Sequence, residues 1–451
     1  MTRFEPYEYQ RRAVRHLLDH RSAALWLDMG LGKSVITLTA VSELLGCLEA
    51  ARVLVIAPKS VAMNTWSDEA AKWEHLSELT VAVAVGAERT RRKAVEGGAD
   101  ITVINRENTV WLEANYGGAR WPFDTVVLDE ASSFKNPTSQ RFKALRRLRP
   151  YIRRIYELTG TPSPNGLMDL WAQMWLLDGG ERLGRTLTAY RTRWFRPGHG
   201  SGHVVYEWRP NKGAADEITG RVSDLCLSMS ADEYLRLPPM IAIDIAARLD
   251  ARTMRGYKAF EKDCLMELDG QTVTAQQAAA LTVKLQQFTG GGMYDTEGGY
   301  HRIHAAKVEA LRDLVEAADG SPVLVFYGFT GERDMITEEL SGYGPVVFRG
   351  EPDILRQWNA GGIRVLLCHP ASVAYGLNMQ RGGHIIVWYT ATWNLELYQQ
   401  ANARLHRQGQ GEPVRVYRIS APGTVDTDVL GALDGKRTLQ DYVLEKVRGS
   451  K

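Results

Sequence analysis

Short runs of Val, Ile, Leu and Ala recur through the first third of the chain, each followed by a longer amphipathic segment: "AALWL" at 23–27, "RVLVIAP" at 52–58, "DITVIN" at 100–105, "DTVVLDE" at 124–130 and "RIYELTGTP" at 154–162. An apolar run of four to six residues without polar alternation suits a parallel strand covered on both faces, and the stretches between suit crossover helices. The same grammar returns late, in "PVLVFYG" at 322–328, "PVVFRG" at 345–350, "IRVLLCHP" at 363–370, "HIIVWYT" at 384–390 and "VRVYRIS" at 414–420. No sequence repeat links the two sets, and the pattern predicts an α/β protein of two doubly wound parallel-sheet domains. Between them, from about 165 to 300, the pattern is mostly helical, broken by "RPGHGSGH" at 196–203 and "TGGGMYDTEGGYH" at 289–301, each read as a loop or hairpin. The consecutive prolines of "LRLPPM" at 235–240 disfavour a helix and set the boundary. The expected domains are therefore 1–235, with a helical extension from about 165, and 236–451, with a helical entry over 236–302 and a sheet core over 303–451.

At roughly 150 residues per domain, a length of 451 residues gives two or three domains, and two is the simplest reading. Hydrophobic content of 44% and charged content of 24% exclude a disordered or fibrous chain. The net charge of +2 gives no global basic signature, so any phosphate-binding surface must be local. Most of the positive charge is arginine, which suits bidentate phosphate contacts, although a GC-rich genome yields the same bias. The cysteines 47, 226, 264 and 368 form no C-x-x-C pair, and neither zinc nor a disulfide is expected. The N-terminus "MTRFEPYEYQ" has no apolar signal core and no run approaches the roughly 18 apolar residues of a membrane span, so a cytoplasmic protein with no membrane contact is expected.

Candidate chemistry begins at "LWLDMGLGKSVITLTA", 25–40, a strand, a glycine turn and a helix-forming run. Glycines let backbone N–H groups crowd round phosphate oxygens and the helix N-terminus adds partial positive charge. Lys33 reaches the terminal phosphates, and the Ser34 hydroxyl suits Mg²⁺. The loop Met29–Gly30–Leu31–Gly32–Lys33–Ser34 is thus a Walker A candidate for ATP, although the full pattern would place a glycine where this chain has Leu27. A second nucleotide motif ends the run "TVVLDEAS" at 125–132: Asp129 would hold Mg²⁺ and Glu130 would orient and deprotonate the attacking water. The bland alternative is a pair of acids opening a helix. Gln10, beside Tyr9, is a candidate reader of the adenine edge, as against an ordinary solvated glutamine. In "QANARLHRQGQ", 400–410, Arg404 and Arg407 are three apart, which on a helix puts both guanidiniums on one face. Phosphoryl transfer spreads negative charge over the γ-phosphate oxygens, and these two are candidate arginine fingers; taken alone, the segment reads as an exposed arginine-rich helix.

Several segments, in order, resemble the motifs of the Swi/Snf ATPases of helicase superfamily two: "DMGLGKS" motif I, "VLVIAPKSVAMNTWSDEAAKW" motif Ia, "DEASSFKNPTSQRFKAL" motif II, "LTGTPSPNGLMDLWAQMWLL" motif III, and "GLNMQRGGHIIVWYTATWNLELYQQANARLHRQGQ" motifs V and VI. The resemblance spans nearly the whole chain and is similar to the compact versions carried by bacteriophages and bacteria. It implies two RecA-like lobes, an ATP site drawing on Gln10, Gly30, Gly32, Lys33, Ser34, Asp129 and Glu130 from the first and Arg404, Arg407 and Gly376 from the second, and Mg²⁺. It also implies nucleic-acid contacts at Lys59, Ser60, Thr159, Gly160, Thr161 and Ser372. On physical grounds hydroxyls and glycines at strand ends suit phosphates without reading bases, but "LTGTP" reads equally as a tight turn. Trp66, Trp73, Trp171 and Trp393 lie in apolar patterns and read as packing rather than base-stacking platforms. Ser132 stands where motif II commonly has histidine.

The expected function is a monomeric, nucleic-acid-dependent ATPase that translocates on duplex DNA and remodels DNA or protein–DNA complexes, with room for a protein loading partner. A strand-separating DNA or RNA helicase and a non-processive ATP-gated clamp are the alternatives. A small-molecule kinase would require turnover independent of nucleic acid, and the two-domain motif order argues against it.

Overall fold

The computed structural model describes residues 1–163, 166–198, 200–201, 204–205, 208–229, 234, 237–266, 275–373 and 377–435. The chain divides into two compact units, Met1–Arg236 and Leu237–Lys451, each with its own parallel sheet.

In the first unit, helix α1 (Glu8–Asp19) precedes β1 (Ser22–Leu27), and α2 (Lys33–Gly46) follows it. Then come β2 (Val53–Ala57), α3 (Trp66–Lys72), β3 (Val81–Ala84), β4 (Ile101–Asn105), β5 (Thr125–Asp129) and β6 (Arg154–Thr159). The segment around "RPGHGSGH" forms two short antiparallel ribbons, β7 (Phe195–Pro197) with β10 (Trp208–Pro210) and β8 (Gly200–Ser201) with β9 (Val204–Val205). β11 (Cys226–Met229) then returns to the edge of the main sheet, beside β1. The order is β11-β1-β6-β5-β2-β4-β3. Every residue of β2, β4, β5 and β6 is buried, the reason β2, β4 and β5 are mostly apolar; β6 also buries Arg154 and Glu157. Because β6 is threaded between β1 and β5, with Trp26 opposite Thr159 and Asp129 opposite Leu158, the loops leaving these three strands emerge side by side at the carboxyl edge. Ligand sites of open α/β sheets are built at that edge.

The second unit repeats the architecture. β12 (Met240–Ala246), the hairpin β13 (Gly292–Tyr294) and β14 (Tyr300–Arg302), β15 (Val323–Phe326), β16 (Val346–Phe348), β17 (Val365–Cys368), β18 (Ile385–Trp388) and β19 (Val414–Ser420) follow in sequence. Six of them form a parallel sheet of order β12-β19-β18-β15-β17-β16. One face buries Trp358, Trp388 and Phe326, the other Leu311, Val325 and Tyr389.

Three strands were not foreseen in the apolar pattern. β3 is a half-buried edge strand of small residues, β11 is four residues long with an exposed serine within it, and β12 exposes most of its side chains at the sheet edge. The stretch over 165–300 therefore contributes an edge strand to each sheet besides its helices.

Two buried polar features hold the second unit. Lys307, fully buried at the start of the helix Ala306–Ala317, pairs with Asp426 of the helix Val425–Leu433 at 2.7 Å, and Thr289 Oγ1 donates to the same carboxylate. Glu332 accepts from Gly328 N and from Thr390 Oγ1, and a Cβ on Gly290 would overlap its Oε1, which explains that glycine. Burial is the main cause pushing the Glu332 carboxyl up to about 7. Its folded value exceeds the unfolded one, so its contribution is fully present below about pH 4.5 and is lost as the pH rises through 7, an effect on the order of 3 kcal/mol. Denaturant unfolding across pH 4.5–7.5 should show a fall in stability that is flattened in Glu332→Gln; an equal slope in the variant would contradict the assignment.

Candidate active site

The glycine loop begins where β1 stops. Gly30 and Gly32 adopt left-handed backbone at φ 87° and 81°, and Gly32 caps α2, so Lys33 opens the helix. Leu27, at the position of the absent glycine, is the last residue of the strand and its side chain is fully buried; its carbonyl accepts Lys33 Nζ at 2.7 Å. Asp28 O lies 3.4 Å from the same nitrogen. Lys33 therefore curls back over its own loop. Leu31 is buried, and Met29 and Ser34 are half-buried. Gln10 is not a solvated side chain: it is 5% exposed, its Oε1 accepts Tyr7 N at 2.9 Å, and a Cβ on Gly32 would lie 2.9 Å from its Nε2. Glutamine and glycine loop are thus packed together.

Asp129 ends β5 and is buried. Burial raises its pKa, while the Trp66 indole N–H, donating to Oδ2 at 2.9 Å, and the nearby Lys33 charge act in the opposite direction. Glu130 takes left-handed backbone, φ 55° and ψ 60°, a conformation costing a non-glycine residue roughly 1–2 kcal/mol. The chain turns there into a short 3-10 helix, Ala131–Phe134, which Glu130 precedes as its N-cap residue. Ser132 is buried in that turn.

Gly160 closes the arrangement. A Cβ on it would stand 3.4 Å from Leu27 O, 3.7 Å from Lys33 Nζ and 3.8 Å from Met29 Cγ, so the "LTGTP" loop lies against the glycine loop. It is also a tight turn, since Thr161 N donates to Thr159 Oγ1 at 3.1 Å. Gln173 Nε2 braces it through Pro162 O at 2.7 Å. Lys59 and Ser60 are exposed just beyond β2, at the same edge of the sheet.

In the second unit the helix Leu395–Asn402 ends before the two arginines, so Arg404 and Arg407 lie on turns and not on one helical face. They converge by another route: Arg404 Nη1 and Arg407 Nη1 both donate to Leu377 O, at 3.2 and 3.1 Å. Arg404, 7% exposed, also donates to Gln400 O, whereas Arg407 is half-buried. Ser372 Oγ donates to His369 O. Gly376 lies outside the described residues.

Sequence reasoning missed Trp66 and Gln173 as partners of the site. Trp66 packs in the core as its apolar setting suggests, but nothing in its spacing reveals that its N–H meets Asp129.

A left-handed glycine loop feeding a helix, with a lysine at its head and an acid pair at the end of a parallel strand one removed in the same sheet, defines a P-loop nucleoside triphosphatase. Residues 9–287 match the SNF2-related domain, and the chain belongs to that family of Swi/Snf-type ATPases. It is 36% identical to putative protein p41 of Acyrthosiphon pisum secondary endosymbiont phage 1, covering 99% of this chain and 100% of that protein. It is 26% identical to the putative ATP-dependent helicase/translocase YwqA of Bacillus subtilis over 97% of this chain, spanning about half (48%) of that relative's length. The Sulfolobus solfataricus SWI2/SNF2 ATPase core in complex with dsDNA is 21% identical over 100% of this chain and 96% of that one, with a TM-score of 0.46. Among the described residues no helix is long and apolar enough to cross a membrane.

Proposed function

We propose that this chain hydrolyses ATP to translocate along duplex DNA, displacing or remodelling what is bound to it. The observation that carries the reading is the meeting of Lys33, Asp129 and Gly160 at one sheet edge, with Gln10 packed on the same loop. Family membership and the helicase/translocase name of the Bacillus relative support it.

In this reading the backbone N–H groups of Gly30–Ser34 and the Lys33 ammonium take the phosphates, the ammonium leaving Leu27 O to do so. Gln10 holds the adenine edge. The Ser34 hydroxyl and the Asp129 carboxylate are hard oxygen donors fitted to Mg²⁺, which supplies charge neutralisation when bound. Glu130 orients water and accepts its proton. Arg404 and Arg407 bring cationic charge to the transferring phosphoryl group. Lys59, Ser60, Thr159–Thr161 and Ser372 take the track by its phosphates, without reading sequence.

ATP turnover measured side by side with duplex DNA, single-stranded DNA and RNA tests the proposal. Duplex should stimulate most, with an apparent affinity falling steeply and linearly in log–log salt plots. Equal turnover without any nucleic acid would overturn it. Displacement of a triplex-forming strand at increasing distances from the entry point should show a length-dependent lag; a clamp would show none.

A further inference from the structure

Trp66 joins two parts of the first unit that the proposed cycle uses separately. After β2 the exposed pair Lys59–Ser60 leads into a single wide turn of π-helix, Val61–Thr65, and α3 begins at Trp66 itself. Single π turns recur at functional sites. The indole is 1% exposed, and its N–H is directed at Asp129 Oδ2. Among other buried tryptophans, Trp171 and Trp358 donate to backbone carbonyls, Gly184 O and Met379 O, and Trp388 donates to the neutral amide of Asn402. Trp66 instead donates to the carboxylate that ends the strand next to the lysine-bearing loop.

Resting on the ATPase reading above, we propose that Trp66 is a positioning residue for that site: its N–H fixes Oδ2 so that Oδ1 is presented to the divalent cation. An indole nitrogen is a donor only and can neither ligate a metal nor shuttle a proton under these conditions, so orientation is the chemistry open to it. A hydrogen bond to a charged group is stronger than a neutral one. Outer partners of metal-binding carboxylates typically change metal affinity 10- to 100-fold when removed. The five residues Val61–Thr65 alone separate Trp66 from the proposed track contact at Lys59–Ser60.

The test is nucleotide binding without turnover. A fluorescent ADP analogue is titrated into the full chain with EDTA and again with Mg²⁺, and the gain in affinity conferred by the cation is compared between wild type and Trp66→Phe. We expect EDTA affinities within about twofold of each other and a Mg²⁺ gain reduced roughly tenfold in the variant. Because Phe leaves a void, replacement of Trp66 by its benzothiophene analogue, which keeps the ring shape and deletes only the N–H, is measured in parallel and should show the same loss. An undiminished Mg²⁺ gain in the analogue overturns the inference while the ATP site stands. No Mg²⁺ gain in the wild type overturns the site reading and this inference with it. A tryptophan that served packing alone would shift the melting temperature of the Phe variant and leave the cation's gain intact in the analogue.

Discussion

Glu130→Gln is expected to lower ATP turnover by roughly 10²–10⁴ while nucleotide affinity stays near that of the wild type, because on the proposed reading the substitution removes the base and keeps the shape. Glu130 is held in left-handed backbone at the exit of β5, a strained setting that an ordinary surface acid does not require. Strain at such a position persists when the surroundings enforce it, and it accompanies functional groups. A second variant separates chemistry from architecture. Glu130→Gly relieves the left-handed penalty and should raise unfolding stability by about 1 kcal/mol while abolishing turnover equally. Stability that rises as activity disappears is the signature of a residue kept for its carboxylate. Steady-state ATPase assays with denaturant melts on the two variants check this; Glu130→Gln turnover within threefold of wild type would remove Glu130 from the mechanism.

Arg407→Ala costs about 10³–10⁵ in turnover, the range of an arginine finger, or roughly 4–7 kcal/mol of transition-state stabilisation. An arginine serving as a surface ion pair would cost about 0–1 kcal/mol. The two arginines are not equivalent. Arg404 is buried and holds both Gln400 O and Leu377 O, so Arg404→Ala should also lower the stability of the second unit, whereas Arg407 is half-buried and donates to Leu377 O. Comparing turnover, nucleotide affinity and melting temperature for the two variants resolves the roles. Near-normal turnover in Arg407→Ala overturns the finger assignment.

Most of the architecture was legible because parallel strands covered on both faces leave unbroken apolar runs. β2, β4, β5 and β6 are buried at every position and were read directly. β3 and β12 escaped because an edge strand is half-exposed and its composition follows the solvent as much as the core. The glycine loop and the acid pair were legible as local patterns, since each is fixed by a strand end and a turn of a few residues. The Trp66–Asp129 hydrogen bond was not, because it is made between residues 63 positions apart by a side chain whose neighbours are all apolar or helical. The arginine pair misled in form: a spacing of three suggested one helical face, but the helix stops at Asn402, whose Oδ1 is taken by Trp388 Nε1, and the pair meets instead on a carbonyl from a distant loop.

The ion pair between Lys307 and Asp426 bears on how the polypeptide is made. During vectorial synthesis the ammonium leaves the ribosome long before its carboxylate, and an ammonium cannot enter an apolar interior alone. The N-terminal half, whose strands are complete by Met229, is free to consolidate co-translationally. The second unit must wait for the helix Val425–Leu433, so its commitment to the native state is postponed until Asp426 has emerged.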